Sequence, residues 1–324
     1  MEYFIADTHF GHANILKLAA RPFASVTEMD ETLINNWNAR VKKRADTVYI
    51  LGDFVWEKAD PVKYLSRLNG KKILVTGNHD EKWLKKFDVS ASLKEDAPYL
   101  ETELSGKKFT LCHYPMLEWK ASRKMGSKKL GWHIHGHIHG KYKPEYESLF
   151  LSPHALNAGV DVNGFAPVTF DELVKNNETH KLKLLPSLEK KAQFLATKYH
   201  LYQTDKVGKA YIEHPKTVAS LVQGELVKVV AWLHDIVEDT DIDLALLENT
   251  FPPEAVEAIY AMTHGKDEDY FDYVRRVKLN PIARQVKMAD LTHNSDLTRL
   301  KTVTEFDLKR NEKYKKAMQI LTDD

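Results

Sequence analysis

The strongest constraint on this 324-residue chain is where its metal-ligand residue types fall. In the first half, five short motifs place Asp, Asn and His at or beyond the ends of strand-like runs. They are Asp7-Thr8-His9, Gly52-Asp53, Gly77-Asn78-His79-Asp80, Cys112-His113 and Gly136-His137-Ile138-His139. Tyr3–Ala6, Thr47–Leu51, Lys72–Thr76 and Lys108–Cys112 read as buried strands. Between them Val26–Arg44 and Pro61–Leu68 read as helices. Asp60-Pro61 is a helix start and Gly70 a stop. Such alternation predicts an α/β layered domain. A second set, His214, His234-Asp235 and Asp290, lies in a half with helical spacing. Each set is complete enough to build a metal site by itself.

The length suggests two domains. The boundary is expected at Leu182-Lys183-Leu184-Leu185-Pro186-Ser187, read as a last short strand followed by a change of period. That gives domains 1–185 and 186–324. Beyond it, apolar residues recur at helical spacing, for example Val229, Val230 and Leu233, or Ala255, Val256 and Ile259. An all-α second domain of about six to eight helices follows. A net charge of +1 supplies no global basic field, which argues against nucleic acid as a partner. No apolar run approaches the about 20 residues needed to span a bilayer, so no membrane is expected. The first residues lack the pattern of a signal peptide. The single cysteine, Cys112, excludes an internal disulfide. The expectation is a cytoplasmic protein; its oligomeric state is not legible. Ten of the 15 histidines precede residue 184.

Asp7 and His9 are two apart at a strand end, a spacing that in extended backbone points both to one side. His137 and His139 share it. Gly52 and Gly77 permit tight turns before a ligand. Hard carboxylate oxygens plus imidazoles suit a two-metal hydrolytic site. The ordered set resembles the signature of calcineurin-like metallophosphoesterases over about residues 1–175. The resemblance implies a four-layer α/β sandwich and two divalent ions (Mn2+, Fe2+ or Zn2+). Asp7, His9, Asp53 and His139 would hold one; Asp53, Asn78, His113 and His137 the other, with Asp53 bridging. His79 would protonate the leaving oxygen or steady the phosphoryl oxygens, Asp80 would orient His79, and water activated by the metals would attack. His12, Asn14, Arg21 and Asn38 are candidates for lining the phosphate pocket. His133 and His135 lie outside the motif and read as core, as does Cys112.

His234-Asp235-Ile236-Val237-Glu238-Asp239-Thr240 closes an apolar helix, and on one continuous helix its four polar groups would share a face. A helical core rarely tolerates that without a metal or a charge partner. With Tyr211-Ile212-Glu213-His214-Pro215, Lys287-Met288-Ala289-Asp290 and His293-Asn294, the set resembles HD-domain phosphohydrolases, specifically the alarmone hydrolases of the RelA/SpoT type. The resemblance covers about residues 188–310. It implies a 3′-pyrophosphohydrolase of guanosine tetra- and pentaphosphate whose single ion, Mn2+, is held by His214, His234, Asp235 and Asp290. Glu238 and Asp239 would position or activate water, and Lys206 and Asn294 would contact the nucleotide. Asp205 stands where that family carries a basic residue beside the purine, removing a cation–π partner for the base. The expected protein is therefore a bifunctional metal-dependent phosphohydrolase of small phosphorylated nucleotides. The alternatives are a metallophosphoesterase regulated by a nucleotide-sensing HD module, or an HD half that removes the 2′-phosphate of NADPH. His200 and His264 read as surface or capping residues, and Lys309–Lys316 as the solvated face of a terminal helix.

Overall fold

The computed structural model describes residues 1–299 and 302–323, with Glu95, Asp96 and Arg299 as backbone only. It divides into two compact units. One is Met1–Lys124 with Lys129–Leu184; the other is Met125–Lys128 with the chain from Leu185 onward. Among the described residues no helix is long and apolar enough to cross a membrane.

The first unit is mixed α/β with two sheets. β1 (Glu2–Ile5), α1 (Ile15–Leu18), α2 (Val26–Arg40), β2 (Thr47–Ile50), α3 (Pro61–Leu65), β3 (Lys71–Val75), α4 (Asp80–Leu84) and β4 (Leu93–Ala97) follow in order. Their four strands form one parallel sheet in the order β1-β2-β3-β4. β5 (Tyr99–Leu104), β6 (Lys107–Cys112), β7 (Gly131–His135), α5 (Glu147–Leu151), β8 (Ala155–Asn157) and α6 (Phe170–Leu184) complete the unit, with the second sheet ordered β5-β6-β7-β8. α2 begins where Ser25 accepts a hydrogen bond from Glu28 N at 3.1 Å. Its buried stripe, Met29, Leu33, Ile34 and Trp37, joins Tyr3, Ile5, Val48, Ile50 and Leu74 in the core on one side of the parallel sheet. Phe4 leads to the other side, where its ring stacks on Tyr49 and lies 5.9 Å from Phe109 of the second sheet. Parallel strands carry their carboxyl ends on one edge: Asp7, Asp53 and Asn78 follow β1, β2 and β3 of the first sheet, while His113 and His137 follow β6 and β7, a parallel pair of the second.

Three local expectations are corrected. Residues 182–185 do not form a strand: α6 continues to Leu184. Its buried stripe, Leu173, Asn177, Lys181 and Leu182, holds two polar residues, which hid the helical period. The helices expected to reach Arg44 and Leu68 end at Arg40 and Leu65: Val41 is extended, while beyond Leu65 the chain goes on to Leu68 in tighter turns, with Arg67 N bonded to the Tyr64 carbonyl. β4 and β5 gave no apolar signal. β5 alternates exposed and half-buried residues at a sheet edge, joined to β6 through Ser105 and Gly106, both at positive φ.

The second unit is helical: α7 (Leu188–Tyr199), α8 (Glu213–Ser220), α9 (Glu225–Leu233), α10 (Ile236–Asp239), α11 (Leu244–Thr250), α12 (Pro253–Met262), α13 (Tyr270–Lys278), α14 (Pro281–Ser295) and α15 (Glu305–Thr322). α9, with Val229–Leu233 buried, is surrounded by α7, α8, α12 and α14. Nine α-helices stand among the described residues of this unit, more than expected, partly because the chain breaks at His234-Asp235 between α9 and α10. The continuous helix read through His234–Asp239 is thereby corrected.

Lys181 illustrates how the first unit handles a buried charge. Its Nζ donates to the carbonyl oxygens of Ser152 at 2.6 Å, Ala155 at 2.7 Å and Leu149 at 3.2 Å. Burial pushes the amine down to about 7. The folded value lies below the unfolded one, so between pH 7 and about 10 the unfolded chain binds the extra proton. Stability from this group therefore rises with pH in that window. Urea unfolding of wild type and Lys181→Met at pH 7 and pH 9 should show the wild type gaining on the variant. At pH 7 the variant should lose about 2–5 kcal/mol through its unsatisfied carbonyls.

Candidate metal centres

In the first unit the sequence motifs converge. The ligand-type atoms of Asp7, His9 and His139 lie within 4.8 Å of one another, as do those of Asp7, Asp53 and His113. Asp53 Oδ2 is 3.6 Å from His9 Nε2 and 3.5 Å from His113 Nε2, so one carboxylate oxygen faces both groups. Asn78 Oδ1 sits 3.1 Å from both His113 Nε2 and His137 Nδ1. His79 Nε2 is 4.0 Å from Asp53 Oδ2 on a side chain that remains one-third exposed.

The route to this convergence differs from the period-two argument. β1 ends at Ile5, and the ligands lie beyond it in left-handed backbone. φ is 56° at Asp7, 50° at His9, 53° at Asp53, 71° at His137 and 50° at His139. Non-glycine residues seldom adopt this region, and each costs of order 1–3 kcal/mol. The glycines serve close approach as well as turning. A Cβ on Gly77 would meet Asp53 Oδ1 at 2.6 Å, and one on Gly136 would meet Asp7 Oδ2 at 2.7 Å. Only at Gly52, φ 80°, is a left-handed turn also required.

Surrounding groups fix the ligands, and some expected roles change. Asp80 does not reach the His79 ring. Its carboxylate accepts from Asp53 N, Gly77 N, Phe54 N and Trp83 Nε1 at 2.7–2.9 Å. It therefore orients the backbone of two motifs, while His79 N donates to Asp53 Oδ1. Arg21 does not line an open pocket. Its buried guanidinium donates to both Asp161 oxygens and to the carbonyls of Asp7 and Thr8, which uses its fork internally. Asn38 caps the Arg67–Asn69 turn instead of facing phosphate. Asn14 is exposed at the start of α1 and joins none of the groups above. His12 does come close: its Nδ1 lies 3.4 Å from His9 Nδ1 and its ring stacks on Trp56 at 3.9 Å. His133 and His135 are core residues, bonded through Nδ1 to the carbonyls of Thr110 and Gly136.

Asp161 and Asn157 escaped the sequence reading. Asp161 Oδ2 bonds His139 Nδ1 at 2.8 Å, and Asn157 donates to the His139 carbonyl. The signal was present: Ala155-Leu156-Asn157-Ala158-Gly159-Val160-Asp161 is one more apolar run ending in polar residues, but its strand is only three residues long.

Burial pushes the Asp7 carboxyl up to about 6 and holds His9 well below the usual imidazole range. Burial, the largest single influence, opposes charge on His139, but the Asp161 hydrogen bond and the charges of Asp7 and Asp161 together outweigh it and the value rises. His9 Nε2 is buried without a hydrogen-bond partner. An orphaned imidazole nitrogen beside two buried carboxylates is the donor set a divalent cation completes.

In the second unit, His214 Nε2 and His234 Nε2 face each other at 3.2 Å. Asp290 Oδ1 is 3.3 Å and Asp235 Oδ2 is 3.5 Å from His214 Nε2. His234 Nδ1 bonds the Ala231 carbonyl, which leaves its Nε2 lone pair toward the cluster. Tyr211 Oη donates to Asp235 Oδ2 at 2.5 Å, Lys287 Nζ lies 3.0 Å from Asp290 Oδ2, and Asn294 Nδ2 donates to Asp290 Oδ1. Asn294 thus holds the Asp290 carboxylate while also lining the cavity. His293 Nδ1 sits 2.7 Å from His214 Nδ1. Burial disfavours a charged His214, yet Asp235 and Asp290 outweigh it and raise the imidazole to about 9. Burial would raise Asp290, but Lys287 and the histidines hold it well below the carboxylate range. The set opens into a cavity of about 420 Å³ that also holds Glu238, Asp239, Lys206, Asp205, Tyr270 and Arg310. Asp205 has a structural task there, accepting from Val207 N and Lys209 N. The basic run of α15 is not wholly solvated, since Arg310 lines the cavity and Lys313 Nζ stands 3.7 Å from the Tyr270 ring centroid. His264 is a cavity residue, and His200 is buried at the end of α7 with Nδ1 2.7 Å from Gln203 Oε1.

The first unit has the architecture and donor set of a metal-dependent phosphoesterase. Residues 3–162 match the calcineurin-like phosphoesterase superfamily domain, and the chain belongs to that superfamily through this half. It is 38% identical over 183 residues to an uncharacterized protein of Methanocaldococcus jannaschii, covering 56% of this chain and 93% of that one. A structure of a protein of unknown function from Aquifex aeolicus is 30% identical, with 54% of this chain and 98% of that chain covered and a TM-score of 0.42. The C-terminal region is similar to a probable guanosine-3′,5′-bis(diphosphate) 3′-pyrophosphohydrolase of Synechocystis, at 32% identity over 111 residues. That match takes in 29% of this chain and spans only 14% of the Synechocystis protein. A metazoan ortholog of SpoT, described as hydrolyzing ppGpp, aligns at 23% identity over 42% of this chain and 85% of that one, with a TM-score of 0.36.

Because Arg21 clamps the Asp7 carbonyl and Asp161, Arg21→Lys should weaken metal retention in the first unit by about 10–100-fold with the fold intact. Asn14→Ala should leave it unchanged. Metal content after dialysis against a graded chelator, with circular dichroism as the control, reads both.

Proposed function

We propose that this chain is a bifunctional, metal-dependent phosphohydrolase of phosphorylated nucleotides. The observation that carries this reading is that two separate convergent sets of imidazoles and carboxylates exist, one of them opening into a cavity of about 420 Å³. That volume suits a nucleotide-sized ligand.

In the first site, Asp7, His9, Asp53 and His139 would hold one ion and Asp53, Asn78, His113 and His137 a second, with Mn2+, Fe2+ or Zn2+ as occupants. Bound there, the ions would neutralise phosphoryl oxygens and make water more acidic. The residues' own work is then defined. Asp53 fixes the spacing between the two groups through its shared oxygen. Asp80 holds Asp53 and Gly77 by their backbone. His79, the most open imidazole beside Asp53, donates its proton to the leaving oxygen of a phosphomonoester or diester.

In the second site, an HD-type domain, His214, His234, Asp235 and Asp290 would hold one ion, Mn2+. Glu238 and Asp239 stand at the open side, where they orient water and accept its proton. Lys206 and Arg310 give the cavity cationic side chains for phosphates, opposite in charge to the acidic floor. Such a site suits removal of a pyrophosphate or phosphate from a ribose 2′ or 3′ position. The similarity of this region to a probable guanosine-3′,5′-bis(diphosphate) 3′-pyrophosphohydrolase supports a guanosine alarmone as substrate.

The test is a panel of guanosine and adenosine alarmones, NADPH and simple phosphate esters, with Mn2+ supplied and phosphate and pyrophosphate measured separately. Asp53→Asn should remove ester hydrolysis, and Asp235→Asn pyrophosphate release, each by on the order of 100-fold or more. Each variant should leave the other activity standing. Full activity of both variants on every substrate would sink the two-site reading.

A further inference from the structure

Tyr114 follows His113 directly and is 46% exposed. Its ring centroid lies 4.8 Å from His137 and 5.2 Å from His113, edge-on to both. An aromatic ring that touches two members of the metal cluster and still faces solvent has surface left for a substrate.

The loop that carries it is held by two buried histidines outside the metal cluster, His133 and His154. Met116 N donates to His133 Nε2 at 3.1 Å, while His133 Nδ1 bonds the Thr110 carbonyl. Trp119 is wedged between the His133 and His154 rings at 5.2 and 5.0 Å. Its Nε1 donates to the Gly131 carbonyl at 2.8 Å, and His154 Nε2 bonds the Ser122 carbonyl at 3.1 Å. Tyr114 is therefore fixed from His113 on one side and from Met116 on the other. At another edge of the cluster, Trp56 stacks on His12 and lies 5.5 Å from His79, the residue placed at the leaving oxygen.

Resting on the phosphoesterase reading of the first site, we propose that Tyr114 is a stacking platform for the organic group of the substrate, so that this site prefers phosphoesters of alcohols bearing an aromatic ring, such as nucleosides. Stacking on an aromatic side chain is tolerant of the base, because every base has a π-face. It needs the ring and not the hydroxyl.

The experiment compares the metal-loaded full-length protein with Tyr114→Ala and Tyr114→Phe. The substrates are ethyl phosphate, benzyl phosphate and a nucleoside 5′-phosphate, together with their methyl diesters. The variant-to-wild-type ratio of kcat/KM for each substrate cancels intrinsic reactivity. Tyr114→Ala should lower the ratio about tenfold for benzyl and nucleoside esters, mostly in KM, and leave ethyl esters within about twofold. Tyr114→Phe should keep wild-type rates on all of them. Equal loss on ethyl and aromatic esters would make Tyr114 a support for His137 and overturn the platform, as would no loss on any ester. A Phe variant as impaired as Ala would also overturn it. A wild type that hydrolyses ethyl esters as well as aromatic ones refutes the preference alone. A wild type inert on every ester refutes the phosphoesterase reading beneath it.

Discussion

The first unit depends on keeping two carboxylates, Asp7 and Asp53, buried a few ångströms apart. Like charges at that separation in a poorly solvated interior repel strongly. The surroundings answer with oriented donors. Asp53 accepts from the His79 backbone, Asp7 from the His137 backbone, and Arg21 stands behind Asp7 with Asp161 as its own counter-charge. Both sheets make this possible, because Asp7 and Asp53 follow β1 and β2 of the parallel sheet while His113 and His137 follow β6 and β7, a parallel pair of the other. The remaining deficit of positive charge is what divalent cations would fill.

The second unit solves a related problem with helices. Its two facing imidazoles come from the start of α8 and the end of α9, and its carboxylates from the break before α10 and the middle of α14. Interrupting the helix at His234-Asp235 separates two neighbouring residues into different directions, so both can approach one point. Each of these four candidate ligands also has a dedicated partner on its far side: His293 behind His214, the Ala231 carbonyl behind His234, Tyr211 behind Asp235, and Asn294 with Lys287 around Asp290. Such partners set orientation and tautomer, and usually matter for affinity almost as much as the ligands themselves.

Much of this was legible in the sequence. Strands that are apolar and end in Asp, Asn or His announce themselves, and the five motifs met where they were expected to meet. What stayed hidden has a physical cause in each case. α6 looked unlike a helix because Asn177 and Lys181 occupy its buried stripe, where they bond carbonyls. Asp161 was missed because β8 is too short to register as a strand. Arg21 was read as a phosphate contact because its charge is visible in sequence and its four internal acceptors are not. Period-two logic reached the correct grouping of Asp7 with His9, although their backbone is not extended. Which residues face a site is set by tertiary contacts that bring Tyr114 and Trp56 to its rim.

The left-handed ligands carry a consequence for how such a site can change over time. Glycine would relieve the backbone at Asp7, His9, Asp53, His137 or His139, but glycine has no atom to offer a cation. Asparagine tolerates the conformation and keeps an oxygen, such as Asn78 offers in the same cluster, but its amide is neutral and supplies no charge to a cation. The five left-handed residues thus hold a donor set in place at a cost in backbone energy that folding alone does not require.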